Sequence, residues 1–205
     1  MSYPNWRLVV VNNFANDGTE SIVHQEFPEA IVIENDHNGG YAGGAARGWQ
    51  ELQNDCKYVT IVTQDVMVDA EWLQPIIKYF QSHEKVGAAQ SVVYRSPDRD
   101  IINTVGNHIN FLGFGYADGE GMKASDDPRL AELLIAPHEV TYASGAALVV
   151  PASVIKKVGL FQEHFFMYHE DLDLGWRLAL AGYKSVLIPE SKVFHRYEFH
   201  RSTAI

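Results

Sequence analysis

Four short β-branched runs mark the first half of the chain, at residues 7–12, 30–34, 57–63 and 86–94. Helix signals fill the stretches between them. An Asn16-Asp17-Gly18-Thr19 turn can start a helix over 20–27. A glycine-rich stretch, Asn38-Gly39-Gly40-Tyr41-Ala42-Gly43-Gly44, passes into a helix ending near residue 53. Asp69 reads as the N-cap of a helix running to about residue 83, in which Pro75 marks either a kink or a later start. Strands that alternate with helices predict an α/β fold, a mostly parallel sheet covered by helices on both faces.

Composition narrows the function. The chain has 205 residues, enough for one domain, with 46% hydrophobic and 20% charged residues. Its formal charge of -10, from 16 basic against 26 acidic residues, argues against nucleic acid as a partner. The lone Cys56 rules out an internal disulfide and a cysteine zinc site, and suits a reducing compartment. No apolar run reaches the ~18–20 residues of a membrane span. The opening MSYPNWRLVVVNN lacks the form of a secretion signal, so the expected location is cytoplasmic.

After residue 94 the alternation stops. Residues 101–116 suggest a hairpin, and 117–128 a long solvated loop. Residues 141–150 read as a strand that opens on small residues, with Ser144 and Gly145 placed either to let a substrate lie on backbone or for packing. Pro151 suits the first position of a helix over 152–158 that Gly159 stops. A helix is expected over 170–181 with Gly182 after it, then strands at 183–188 and 193–196 around Pro189. The apolar face of the 170–181 helix is read as Leu172, Trp176, Ala179 and Leu180.

Several polar residues invite chemistry, each with a plainer alternative. Asp65 follows the third strand, where open sheets place ligands, and a divalent cation there would take oxygen donors; a turn Asp looks the same. The glycine run lets backbone approach a ligand at a helix N-terminus, or simply packs closely. His195 can ligate a metal, contact phosphate, or be structural. Glu170, Asp171 and Asp173 crowd into four residues inside Phe165–Arg177, FFMYHEDLDLGWR. Such crowding needs a cation, a helix N-terminus or a proton-transfer role to offset it. Asp173 and Arg177, four apart, can pair with each other.

Taken together, these stretches resemble family 2 glycosyltransferases of the GT-A fold, rhamnosyl- and galactofuranosyl-transferase-like members included. VVVNNFANDGTES (9–21) is similar to the family's VDNxSxDGT strand end, and NGGYAGGAARGW (38–49) to its NxGyaxGxNxG loop. VTQDVMVD (62–69) stands in the DxD-type metal segment. The block from Ser144 to Arg196 follows the family's long ED-containing pattern nearly end to end. The resemblance implies one GT-A-like domain over 1–205, with 1–94 the nucleotide-sugar half and 95–205 the acceptor and catalytic half. It implies inverting transfer from a UDP- or TDP-sugar to a hydroxyl of a glycan or lipid-linked acceptor, in cell-surface polysaccharide synthesis at the inner face of a membrane. Asp171 would be the base and Glu170 its positioning neighbour. Asp65 and His195 would hold Mg2+ or Mn2+. Asn12, Gly40, Gly43, Gly44 and Asp65 would meet the donor, and Ser144, Gly145 and Tyr168 the acceptor. The chain departs from the pattern at Asn12, where Asp is usual, and at Thr63, which replaces the first acid of DxD. It also opens after the family's first strand and helix, which would expose a sheet edge open to homodimerisation. The alternative implied by these departures is a non-catalytic relative that binds a glycan or a partner.

Overall fold

The computed structural model describes residues 1–196. The last nine residues of FHRYEFHRSTAI, the tail that ends the matched block, lie outside the described residues.

The first two strands form a sheet of their own. β1 (Val9–Asn12) and β2 (Ile31–Glu34) pair in parallel around helix α1 (Thr19–Glu26), with Asn12 opposite Glu34. Helix α2 (Gly40–Leu52) then leads to β3 (Tyr58–Val62), β4 (Val66–Val68), helix α3 (Leu73–Ser82) and β5 (Val86–Arg95). The irregular middle holds β6 (Ile102–Thr104), the hairpin of β7 (Asn107–Ile109) and β8 (Gly115–Ala117), helix α4 (Pro128–Leu133) and β9 (His138–Val140). β10 (Ala147–Pro151), helix α5 (Ala152–Val158), helix α6 (Glu170–Leu180) and β11 (Lys184–His195) complete the described chain.

The larger sheet of the described residues runs β3-β10-β5-β11-β4, with β6 against β5 and β9 against β11. β5 and β11 are parallel, whereas β10 lies antiparallel between β3 and β5. The α/β architecture agrees with the sequence pattern, and the larger sheet is mixed. Apolar patterning sets which strands are buried but not their direction. β5 is the centre: Val86 through Val93 are buried on both faces, as a strand covered by helices must be. On one face Ile76, Ile77 and Phe80 of α3 pack over Ala89, Val93 and Val149. On the other, Leu174 and Leu178 of α6 join Ala42, Ala88, Leu148 and Val150. Helices α2 and α6 therefore share a face, which brings the glycine run and the ED pair together.

Several local expectations need correction. The α6 face turned to the core is Leu174, Gly175 and Leu178, while Trp176 and Leu180 are 53% and 78% exposed. Two apolar stripes with four-residue spacing compete on this helix, and Gly175 decides between them. A Cβ there would sit 2.3 Å from Tyr142 Cβ, so only glycine lets the helix seat on the 141–142 backbone. Helix α3 begins at Leu73 behind Trp72, so Asp69 is not its cap; Asp69 forms the preceding turn, accepting the Trp72 N–H on its carbonyl. Pro75 falls in the first turn of α3, where a missing N–H costs no helical bond. Pro151 is the cap before α5 rather than its first residue. The two expected final strands are one, β11, whose register shifts between Ile188 and Lys192, where Pro189 is accommodated.

The tight seat of α6 carries a prediction. Gly175→Ala should lower stability by about 1–3 kcal/mol, the usual range for overpacking. Urea denaturation reads this as a lower midpoint at unchanged slope; an unchanged midpoint would mean that the Thr141–Tyr142 backbone yields.

Candidate active site

Strand ends position the first part of the site. At the end of β3, the Thr63 N–H donates to the Ala146 carbonyl, and the chain turns through Asp65 into β4. β11 pairs with β4 so that His195 lies opposite Val66. This register brings His195 Nε2 to 3.1 Å from Asp65 Oδ2. His195 Nδ1 lies 2.9 Å from Asn103 Oδ1, which fixes the ring. Asp65 Oδ1 and Thr63 Oγ1 are buried without a hydrogen-bond partner among the described residues. A buried carboxylate oxygen left open beside an imidazole nitrogen is a donor set that suits a divalent cation. No group of three His, Cys, Asp or Glu gathers among the described residues, so a cation here would need further oxygens from its ligand and from water.

The second part is built on α6. Glu170 and Asp171 open the helix on its inward side, ahead of Leu174 and Leu178. Phe166, Tyr168 and His169 all have positive φ, of 59°, 70° and 70°, in the turn that leads in. Non-glycine residues there carry local strain, which packed surroundings must hold in place. Part of that hold is visible: the Phe166 carbonyl accepts the Ala42 N–H of α2 at 3.1 Å. Gly40 makes the approach feasible, because a Cβ on it would lie 2.2 Å from the Phe166 oxygen.

Asp171 is held at both oxygens. The Gly145 N–H donates to Oδ2 at 2.9 Å, and the Leu172 N–H to Oδ1 at 2.8 Å. Burial pushes the Asp171 carboxyl above the ordinary range, and those two hydrogen bonds and the nearby His169 pull it partly back. Glu170 is 5% exposed, and its Oε2 has no partner among the described residues. Burial, with the Asp171 charge adding, pushes it up to about 7. The Asp173–Arg177 pair forms at 2.8 Å; Arg177 also donates to the carbonyls of Val158, Gly159 and Leu160, tying α6 to the end of α5.

Three residues essential to this arrangement are absent from the candidates drawn from the sequence. The Tyr41 hydroxyl donates to the Gly145 carbonyl. Burial raises the Tyr41 phenol far above its ordinary value, and the charges of Glu170, Asp171 and Asp65 raise it further. Tyr41 thus stands within the field of all three carboxylates. Gln90, wholly buried in β5, accepts the Ser144 N–H at 2.9 Å and so fixes the 144–146 turn. Asn13 accepts from the Gly39 N–H and Asn35, and donates to Asn38 and the Gly40 carbonyl, joining β1, β2 and α2. The consecutive pair Asn12-Asn13 at a strand end was the available clue.

The expected residues divide accordingly. Asp65 meets His195, and Gly145 meets Asp171 beside Glu170. Ser144 adjoins them, and Tyr168 stands exposed in the strained turn. Asn12 spends its amide on Glu34 and Ala15, apart from the carboxylates. The glycine run lies within α2 rather than in a loop. Three N–H groups at the start of that helix are already taken, by Asn13, Asn38 and the Phe166 carbonyl. Gly43 faces open space and Gly44 lies near Asn13.

Known proteins share this architecture. A structure of GalNAc-T7 with UDP, GalNAc and Mn2+ superposes with a TM-score of 0.73 at 14% identity, over 95% of this chain and 38% of that one. A mannosyltransferase from Pyrobaculum calidifontis, in complex with GDP-Man and Mn2+, gives 0.62 at 16% identity, over 95% of this chain and 49% of that one. The fold is GT-A. The description of glycosyl transferase family 2 matches residues 1–159, and the chain belongs to that family. It is 26% identical to an N-acetylglucosaminyl-diphospho-decaprenol L-rhamnosyltransferase of Mycobacterium tuberculosis over 207 aligned positions, spanning 92% of this chain and 66% of the relative. It is 24% identical to rhamnosyltransferase WbbL of Escherichia coli K12, over 71% of this chain and 54% of that protein. The chain thus spans slightly less than two thirds of the first relative and about half of the second.

The raised Glu170 value makes stability depend on pH. Its folded value of about 7 exceeds the ordinary 4.5, so the folded state holds the proton more tightly than the unfolded chain. That contribution is complete below the ordinary value and disappears as pH rises through about 7. Thermal melts should therefore show Tm falling across that window. Glu170→Gln should flatten the fall, by on the order of 2–3 kcal/mol above it. Parallel curves for the two proteins would contradict the assignment.

Proposed function

We propose that the chain transfers a sugar from a UDP- or TDP-sugar to a hydroxyl of a glycan or lipid-linked acceptor, by single displacement with inversion, in cell-surface polysaccharide synthesis. The observation that carries this reading is a pair of polar groupings: Asp65 lies 3.1 Å from His195, and Asp171, next to buried Glu170, takes the Gly145 N–H while Tyr41 donates to the Gly145 carbonyl. The relative in M. tuberculosis, named for transfer to a decaprenol-linked sugar, supports a lipid-linked acceptor.

In this reading Asp65 and His195 would hold Mg2+ or Mn2+, which would supply charge neutralisation for a departing diphosphate. Asp171 takes the proton of the acceptor hydroxyl as that oxygen bonds to the anomeric carbon and the carbon–oxygen bond to the nucleoside diphosphate breaks. Burial makes Asp171 a stronger base than a solvated carboxylate, and the Gly145 and Leu172 N–H groups aim it. Glu170, once ionised, raises the basicity of Asp171 through its charge. Residues 1–94 form the donor half, with Asn12, Gly43 and Gly44 around the nucleotide, while Gly40 serves the approach of Phe166. Residues 95–205 form the acceptor half, with Ser144, Gly145 and Tyr168 around the hydroxyl-bearing sugar. His195 is the contribution of that half to the donor side. The setting is the cytoplasmic face of a membrane.

Release of UDP or TDP in the presence of Mn2+ tests the reading. Asp171→Asn should lower kcat by about 10²–10⁴ while leaving donor KM little changed. Asp65→Asn should instead weaken metal-dependent donor binding, read by calorimetry. A folded wild-type chain that turns over none of a donor panel would sink the proposal.

A further inference from the structure

The tip of the β7–β8 hairpin presents three large apolar side chains to solvent. Phe111 is 96% exposed, and Leu112 and Phe114 are each 65% exposed. Residues 101–117 contain no Asp, Glu, Lys or Arg, in a chain that is 20% charged. The turn also pairs four of its backbone N–H groups internally. Asn110 Oδ1 accepts the Leu112 and Phe114 N–H groups at 2.9 and 3.1 Å. The Asn110 carbonyl accepts the Gly113 N–H, and the Phe114 carbonyl accepts the Asn110 N–H, each at 2.9 Å. Each N–H paired in this way lowers the cost of taking the turn out of bulk water. We propose that this hairpin tip inserts into the interfacial region of a lipid bilayer and seats the protein on the membrane.

The position of the hairpin fits that role. At its base, a Cβ on Gly115 would lie 2.6 Å from the Tyr142 hydroxyl and 3.1 Å from Leu172 Cδ1, the residue after Asp171. The apolar stripe of α6 that faces away from the core, Leu172 through Trp176 to Leu180, begins at this same contact. A lipid-linked acceptor must offer its hydroxyl to Asp171 while its hydrocarbon stays in the bilayer, so a membrane contact beside α6 places both. This step rests on the reading of the acceptor as lipid-linked. Charge distinguishes the mode of binding. A net charge of -10 is repelled by anionic headgroups, so attachment must come from apolar insertion rather than from electrostatic attraction.

Flotation with phosphatidylcholine vesicles, with and without phosphatidylglycerol, is the test. The full chain should float with the zwitterionic vesicles at low and high salt alike. Phe111→Ser and Phe114→Ser should each lower the partition coefficient by about tenfold, with an unchanged circular dichroism melt because both side chains lie in solvent. Binding that needs the anionic lipid and is lost in salt would overturn the proposal, as would variants that float like wild type. A wild-type dimer that the variants convert to monomer, with no flotation by either, would reassign the tip to a second copy of this chain. Calorimetry of Mn2+-dependent UDP- or TDP-sugar binding on the same samples separates the two readings. Donor binding without flotation removes only the membrane contact; flotation without donor binding removes the transfer reaction.

Discussion

The site depends on keeping two adjacent carboxylates buried at the start of α6. Their burial has two opposing parts. Water is lost from both groups and their charges repel, and Glu170 rises to about 7 as a result. Against this, Asp171 receives the Gly145 and Leu172 N–H groups and the favourable end of a helix dipole. The unequal compensation separates the pair into one strongly hydrogen-bonded carboxylate and one with an open oxygen. Adjacent acids in different environments can then do different things at one pH.

Much of the surrounding structure supports that pair. The Gly145 N–H points at Asp171 only while the 144–146 turn keeps its shape. Gln90 holds that turn from beneath, through Ser144, and Tyr41 holds it from the side, through the Gly145 carbonyl. Gly175 lets α6 come down far enough to make the contact, and Arg177 binds the helix to three carbonyls at the end of α5. The Asp65–His195 grouping has separate support, in the pairing of β11 with β4 and the contact with Asn103. Burial and the nearby carboxylates keep the Tyr41 phenol protonated, so it goes on donating to the Gly145 carbonyl.

Much of this was legible in the sequence, and the losses have physical reasons. Strand positions were readable because burial on two faces demands continuous apolar runs, as in β5. The antiparallel insertion of β10 was not, since the same apolar run serves either direction. The spacing of Asp173 and Arg177 gave their pairing, but not the three carbonyls that Arg177 also binds, which come from distant chain. Tyr41, Gln90 and Asn13 are hard to single out from sequence for one shared reason. Each acts through hydrogen bonds to backbone brought close by the fold, and backbone leaves no mark in residue identity. The glycine run stands out in the sequence, yet the fold uses Gly40 for the approach of Phe166.

The face that α6 turns to the core is the most informative of these differences. Amphipathic reasoning assigns Leu172, Trp176 and Leu180 to the core because apolar residues leave water when they can. The helix does the reverse over its first turns, turning Glu170 and Asp171 inward and that stripe outward. Such an inversion is unfavourable on both sides for a chain alone in water. Inward, it is offset by hydrogen bonds to Gly145 and Leu172, and it leaves one carboxylate oxygen open to a ligand. Outward, Trp176 is half exposed and Leu180 mostly exposed. Under the proposed transfer to a lipid-linked acceptor, each side would meet a different part of one molecule, polar on one side of the helix and apolar on the other. An acceptor with a sugar headgroup and a hydrocarbon tail has that same division.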